Sequence, residues 1–156
     1  MRRSRNVRSA ILALLALSVA ACGNDPVTGI VDDPAVEPFV GTWDARAFTV
    51  TADADTTIVA DLLLNGSFVV NIQPSGTYTG TLIYGGLSPI VEIGKITVAD
   101  GFVTLRPNQA SPCPPSPQPY EFTNPDYLIL GPGPTCFPFR PGELDPGQAY
   151  IELELR

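Results

Sequence analysis

The chain has 156 residues, with 16 acidic and nine basic side chains and no histidine, for a net charge of −7. That length holds one ordinary domain, and the missing imidazole excludes Ser-His-Asp and Cys-His nucleophile pairs and nearly all zinc or iron centres built on histidine. Beyond the first 21 residues the cations Arg46, Lys95, Arg106, Arg140 and Arg156 are scattered, so no clustered basic patch for a nucleic-acid partner is expected.

At the N-terminus, Arg2, Arg3, Arg5 and Arg8 precede an apolar run from Ala10 to Ala21 that ends on small residues before Cys22. This is the charged, apolar and small-residue order of a secretory signal peptide. The run of 12 residues is shorter than the roughly 20 a retained membrane-spanning helix needs. Val19-Ala20-Ala21-Cys22 resembles the lipobox of bacterial lipoproteins. That resemblance implies cleavage before Cys22, acylation of its thiol (palmitate among the chains), and a lipid-anchored protein of the cell envelope. An ordinary signal peptide cut after Ala20 or Ala21 is the other reading of the same residues. Gly23, where an aspartate is absent, resembles lipoproteins sorted to the outer membrane of a two-membrane cell, facing the periplasm or the surface. Loss of residues 1–21 leaves the chain still more acidic, so adsorption to an anionic bilayer is disfavoured and membrane contact is expected through the acyl chains.

The expected organisation is a signal peptide at 1–21, a lipidated cysteine and tether at 22–38, and a barrel domain at 39–156. The tether carries Pro26, Pro34 and Pro38 with Asp25, Asp32, Asp33 and Glu37 and has no apolar period. It reads as an extended spacer with a reach of about 3.1 Å per residue where stiff.

From Phe39 the chain reads as short strands separated by turn chemistry: 40–50, 57–64, 68–73, 77–84, 90–98, 102–106, 120–122, 127–130 and 149–155. Asn65-Gly66 predicts a tight hairpin, because a type I′ turn needs positive φ at both central residues. In the last strand Ala149, Ile151, Leu153 and Leu155 alternate with Tyr150, Glu152, Glu154 and Arg156, one buried and one wet face. No stretch holds a helical apolar period over ten or more residues. The fold class is all-β, a small antiparallel barrel or sandwich.

Several landmarks in this order are similar to lipocalins. Val40-Gly41-Thr42-Trp43 resembles their Gly-x-Trp opening. Residues 61–68 and 75–82 resemble the central hairpins of bacterial lipocalin-like lipoproteins, and 94–98 through 103–107 a later strand pair. The resemblance implies an up-and-down barrel, with Trp43 closing its floor under an arginine of the last strand. Strand parity, however, sets Arg156 on the face of Glu152 and Glu154, so Trp43 is read as a core aromatic without an arginine lid. It also implies a small hydrophobic ligand inside the barrel, with Trp43, Phe68, Tyr78, Leu82, Phe102 and Tyr127 as candidate cavity lining.

With Cys22 taking lipid, Cys113 and Cys136 remain as an even pair in an oxidising compartment, where they are expected to form a disulfide. No enzymatic activity, cofactor or metal is expected. Asp53 and Asp55 lack the glycine of a calcium loop, with Ile58 in its place. Glu152 and Glu154, the right types for a glycosidase pair, fall on a wet face with nothing to raise a pKa. The alternative to a ligand-binding barrel is a pocketless module that offers the segment Pro107–Pro119, held by the disulfide, to an envelope protein partner.

Overall fold

A computed structural model describes residues 33–156. The signal peptide, Cys22 and the tether up to residue 32 lie outside the described residues. A 3-10 turn at Glu37–Phe39 leads into nine strands. They are β1 (Gly41–Ala52), β2 (Val59–Asp61), β3 (Ser67–Ile72), β4 (Thr77–Ile83), β5 (Ile90–Ala99), β6 (Phe102–Pro107), β7 (Pro117–Asn124), β8 (Tyr127–Arg140) and β9 (Glu143–Leu155). Every pairing is antiparallel, in the order β1-β3-β4-β5-β6-β7-β8-β9, and β9 returns to β1 through pairs such as Trp43–Leu155 and Phe48–Ile151. Eight strands therefore close into an up-and-down barrel, the number whose interior either fills with side chains or holds one small ligand.

The ninth strand, β2, stands outside that cycle and pairs only with the C-terminal part of β1, through Thr49–Asp61 and Thr51–Val59. The hairpin expected at Asn65-Gly66 is corrected here, since β3 pairs with β1 and β4 instead of β2. Asn65 does take a positive φ of 57°. Gly66 does not need one. A Cβ there would lie 2.2 Å from the Ile83 carbonyl oxygen, so close approach of two backbones, and not turn type, requires glycine.

Alternation governs most strands. Val70 and Ile72, Tyr78 and Gly80, Gly94 and Ile96, Leu128 and Leu130, and Ala149, Ile151 and Leu153 are buried in alternate positions. In β1 the phase changes, because a bulge between Ala45 and Ala47 gives β1 one residue more than β9. Trp43 and Ala45 thus pack inward before it and Phe48, Val50 and Ala52 after it, while Arg46 reaches out to pair with Glu154. One extra residue reverses strand parity, and local twist absorbs it.

The floor of the barrel is dry and aromatic. Val36 and Phe39, just before β1, are fully buried, and Phe39 meets Tyr120 and Phe122 edge to face at 4.9 and 5.1 Å. The spacer expected through Pro38 consequently ends earlier, with Val36 already part of the barrel. Trp43 is completely buried and donates its indole N–H to the Phe39 carbonyl at 2.8 Å. Arg156 takes no part in this floor: it forms a two-toothed ion pair with Asp44 on the outer wall, at 2.8 and 2.9 Å.

The last three strands run well beyond the bounds the sequence pattern suggests. The hairpin of β8 and β9 continues past the barrel wall, with register breaks between Leu130 and Gly133 and between Phe137 and Arg140. Its Phe137 and Phe139 pack with Val50, Leu62 and Ala149 as a second small core at the end opposite the floor. β7 begins at Pro117, inside the proline-rich segment, and its first pairing is with Thr104 of β6. Cys113 and Cys136 are joined, with Cα atoms 5.7 Å apart, which ties the β6–β7 loop to β8.

Candidate functional site

The barrel is not filled. Between the aromatic floor and the opposite rim lies a cavity of about 310 Å³, at the small end of the range for ligand pockets. Its walls are the inward positions of the strands. Phe48, Phe68, Leu82, Leu105, Leu130 and Ile151 are among its apolar side chains, and Phe48 and Phe68 meet edge to face at 5.2 Å. Gly80 contributes bare backbone, so the space in front of Phe68 stays open.

One wall is not strand. Ser111, Cys113, Pro114, Pro115 and Ser116 of the β6–β7 loop line the cavity alongside Gln118 and Thr135. Prolines fix φ and carry no N–H, which suits a segment that must cross a barrel mouth without a strand partner. The disulfide fixes this wall to β8, and Gln118 reinforces it by donating its amide to the Pro134 carbonyl at 2.8 Å.

Among the described residues, a single charged side chain lines the cavity. Glu92 belongs to the same phase of β5 as the buried Gly94 and Ile96, and although it is itself exposed to solvent, as is Ile90, it lines the cavity. Its Oε1 accepts a hydrogen bond of 2.5 Å from the Tyr78 hydroxyl. The local ladder explains the contact. Tyr78 of β4 is the cross-strand partner of Gly94, two residues beyond Glu92 on the same face. A Cβ on Gly94 would come within 2.7 Å of the Tyr78 ring and 2.2 Å of the Arg106 carbonyl oxygen. Glycine leaves that room, and the ring lies over it with its hydroxyl directed to Glu92. Burial first, and then the Glu92 carboxylate that takes its hydrogen bond, push the Tyr78 phenol far above the usual tyrosine range.

The candidate lining residues divide. Phe68, Tyr78 and Leu82 meet at the cavity. Trp43 lies in the floor beneath it as a buried core residue. Phe102 faces outward and is 44% exposed, because Val103 and Leu105 hold the inward phase of β6. Tyr127 also stands on the outer wall, where it and Tyr150 both donate hydroxyls to Glu152. That hydrogen bond to Glu152 pushes the Tyr127 phenol up to about 12, and the two hydroxyls in turn hold the Glu152 carboxyl below its ordinary value. Phe102 and Tyr127 are therefore corrected as cavity residues. Glu92 and the loop residues went unrecognised in the sequence. Glu92 had a signal, as a carboxylate in the apolar phase of a strand. The loop had none, since its place follows from the barrel's closure.

The remaining acidic positions do not converge. Asp55 accepts from the backbone and side chain of Thr57, and Asp53 from Gln148. Among the described residues no group of three or more histidines, cysteines or carboxylates is placed to hold a metal ion.

Fold and cavity together define a class: a closed eight-stranded antiparallel barrel with an internal pocket, consistent with a lipocalin-like fold. No protein-family model matches the chain, and no curated protein matches its sequence.

Proposed function

We propose that this chain is a lipid-anchored cell-envelope protein whose lipocalin-like barrel binds one small, largely apolar molecule and performs no chemistry on it. The observation that carries the binding reading is the cavity of about 310 Å³, walled by inward-facing aliphatic and aromatic side chains. Apolar walls with a few convergent polar groups are the ordinary composition of a small-molecule site. The signal peptide and lipobox carry the location, the cell envelope with the outer membrane as the anchored bilayer, and the membrane is the expected partner through the anchor. The cavity also speaks against the pocketless alternative, because the inner side of the proline-rich loop is used as a wall of the pocket.

Binding is tested by titrating the full chain, Cys22→Ser to keep it free of acyl groups, with the neutral dye N-phenyl-1-naphthylamine. Saturable fluorescence enhancement with one dye per chain is expected; no enhancement at all would overturn the reading. The anchor is tested separately. Wild-type protein should incorporate labelled fatty acid and sediment with membranes, whereas Cys22→Ser should remain an unprocessed precursor or enter the soluble fraction. An unlabelled wild-type protein, or a processed Cys22→Ser chain still bound to membranes, contradicts lipidation at Cys22.

A further inference from the structure

We infer that the cavity selects an amphiphile with a cationic amine head over one with a carboxylate head, and that Glu92 is the residue that holds the ammonium. This rests on the binding reading above and names the ligand's chemistry. Among the described residues that line the cavity, Glu92 is the one that bears a charge, and neither lysine nor arginine is among them. The nearest cations along the chain, Lys95 and Arg106, are opposite each other in the β5–β6 ladder, exposed and outside the lining. Among the described residues, the ion pairs engage Arg46, Arg140 and Arg156 with other carboxylates, and none engages Glu92.

Tyr78 satisfies Oε1 of Glu92 and orients the group. Oε2 has no protein donor among the described residues. An ammonium brings three donors and no acceptor, which suits that free oxygen, and the hydroxyls of Ser111, Ser116 and Thr135 add polar groups elsewhere in the lining. The apolar body of the ligand would then lie against Phe48, Phe68 and Leu130. A carboxylate head at the same place meets like charge beside an apolar wall and finds no cation to pair with. The net negative charge of the chain acts in the same direction, drawing cations toward the mouth and repelling anions.

The experiment compares three probes with one tail and different heads: octylamine, octanol and octanoate, titrated calorimetrically at neutral pH into the Cys22→Ser chain and its Glu92→Gln derivative. A hydrogen bond to a charged group predicts octylamine binding about ten- to a hundredfold tighter than octanol, with octanoate weakest. Glu92→Gln keeps the shape and removes the charge. It should bring octylamine to within about threefold of octanol and leave the unfolding midpoint unchanged. Octanoate binding as tightly as octylamine, or an amine preference that survives Glu92→Gln, overturns this inference while octanol binding still upholds the cavity. Failure of all three probes to bind overturns both.

Discussion

Trp43→Ala should destabilise the barrel by about 4 kcal/mol, within the range for truncating a fully buried tryptophan. The side chain has no exposed surface and lies with Phe39, Phe122 and Leu153 in the core at the barrel floor. Removing it leaves a void too deep for the strands to collapse into, and it takes away the donor to the Phe39 carbonyl. That carbonyl closes the 3-10 turn against the barrel, so Val36 and Phe39 should loosen with it. Since domains of this size are stable by only about 5–15 kcal/mol, the variant should unfold at a much lower urea concentration. Trp43→Phe separates the two contributions: it keeps most of the packing, loses the hydrogen bond, and should cost clearly less. A loss below about 1 kcal/mol for the alanine variant would mean that the floor is not the barrel's principal core.

Reduction of the Cys113–Cys136 bond, or the double replacement by alanine, should cost about 3 kcal/mol in the chain-entropy account of a loop with this separation of 23 residues. The functional consequence should be larger than the loss of stability. The bond holds the β6–β7 loop against β8, and Cys113, Pro114 and Pro115 are themselves part of the cavity wall. A released loop no longer shields that side, and apolar ligands should bind more weakly and leave faster. Urea unfolding and dye titration, each with and without reductant, measure the two effects. An unchanged midpoint on reduction would show that the bond does not constrain the unfolded chain, and unchanged dye affinity would show that it does not secure the wall.

The fold was legible where alternation was regular. The last strand, with Ile151 and Leu153 in and Glu152 and Glu154 out, set both its own faces and the position of Arg156 away from Trp43. The strand pattern was misleading where a bulge changed its phase, as at Arg46 in β1, because a one-residue insertion is invisible until the partner strand is known. The short β2 showed the same limitation. Asn65-Gly66 has the composition of a hairpin turn, but strand pairing is a long-range choice, and β1 took both β2 and β3 as neighbours on one edge. For the cavity, Phe68, Tyr78 and Leu82 lay on strands whose phase could be read. Phe102 and Tyr127 suggest a lining only by their aromatic character, whereas the parity of Val103 and Leu128 assigns them to the outer wall. The space itself could not be read from sequence, since it depends on how the strands close and on what Gly80 leaves open.

Gly80 offers the most direct test that the interior is the binding site. It is buried in β4, lines the cavity, and a Cβ there would meet Phe68 at an ordinary 3.4 Å. Gly80→Leu should therefore place its side chain in the empty space without displacing backbone. Titration of wild-type and Gly80→Leu chains with N-phenyl-1-naphthylamine should show more than about a tenfold loss of affinity in the variant, with the unfolding midpoint nearly unchanged. Equal affinity in the two chains would place the dye elsewhere and contradict a ligand-binding barrel.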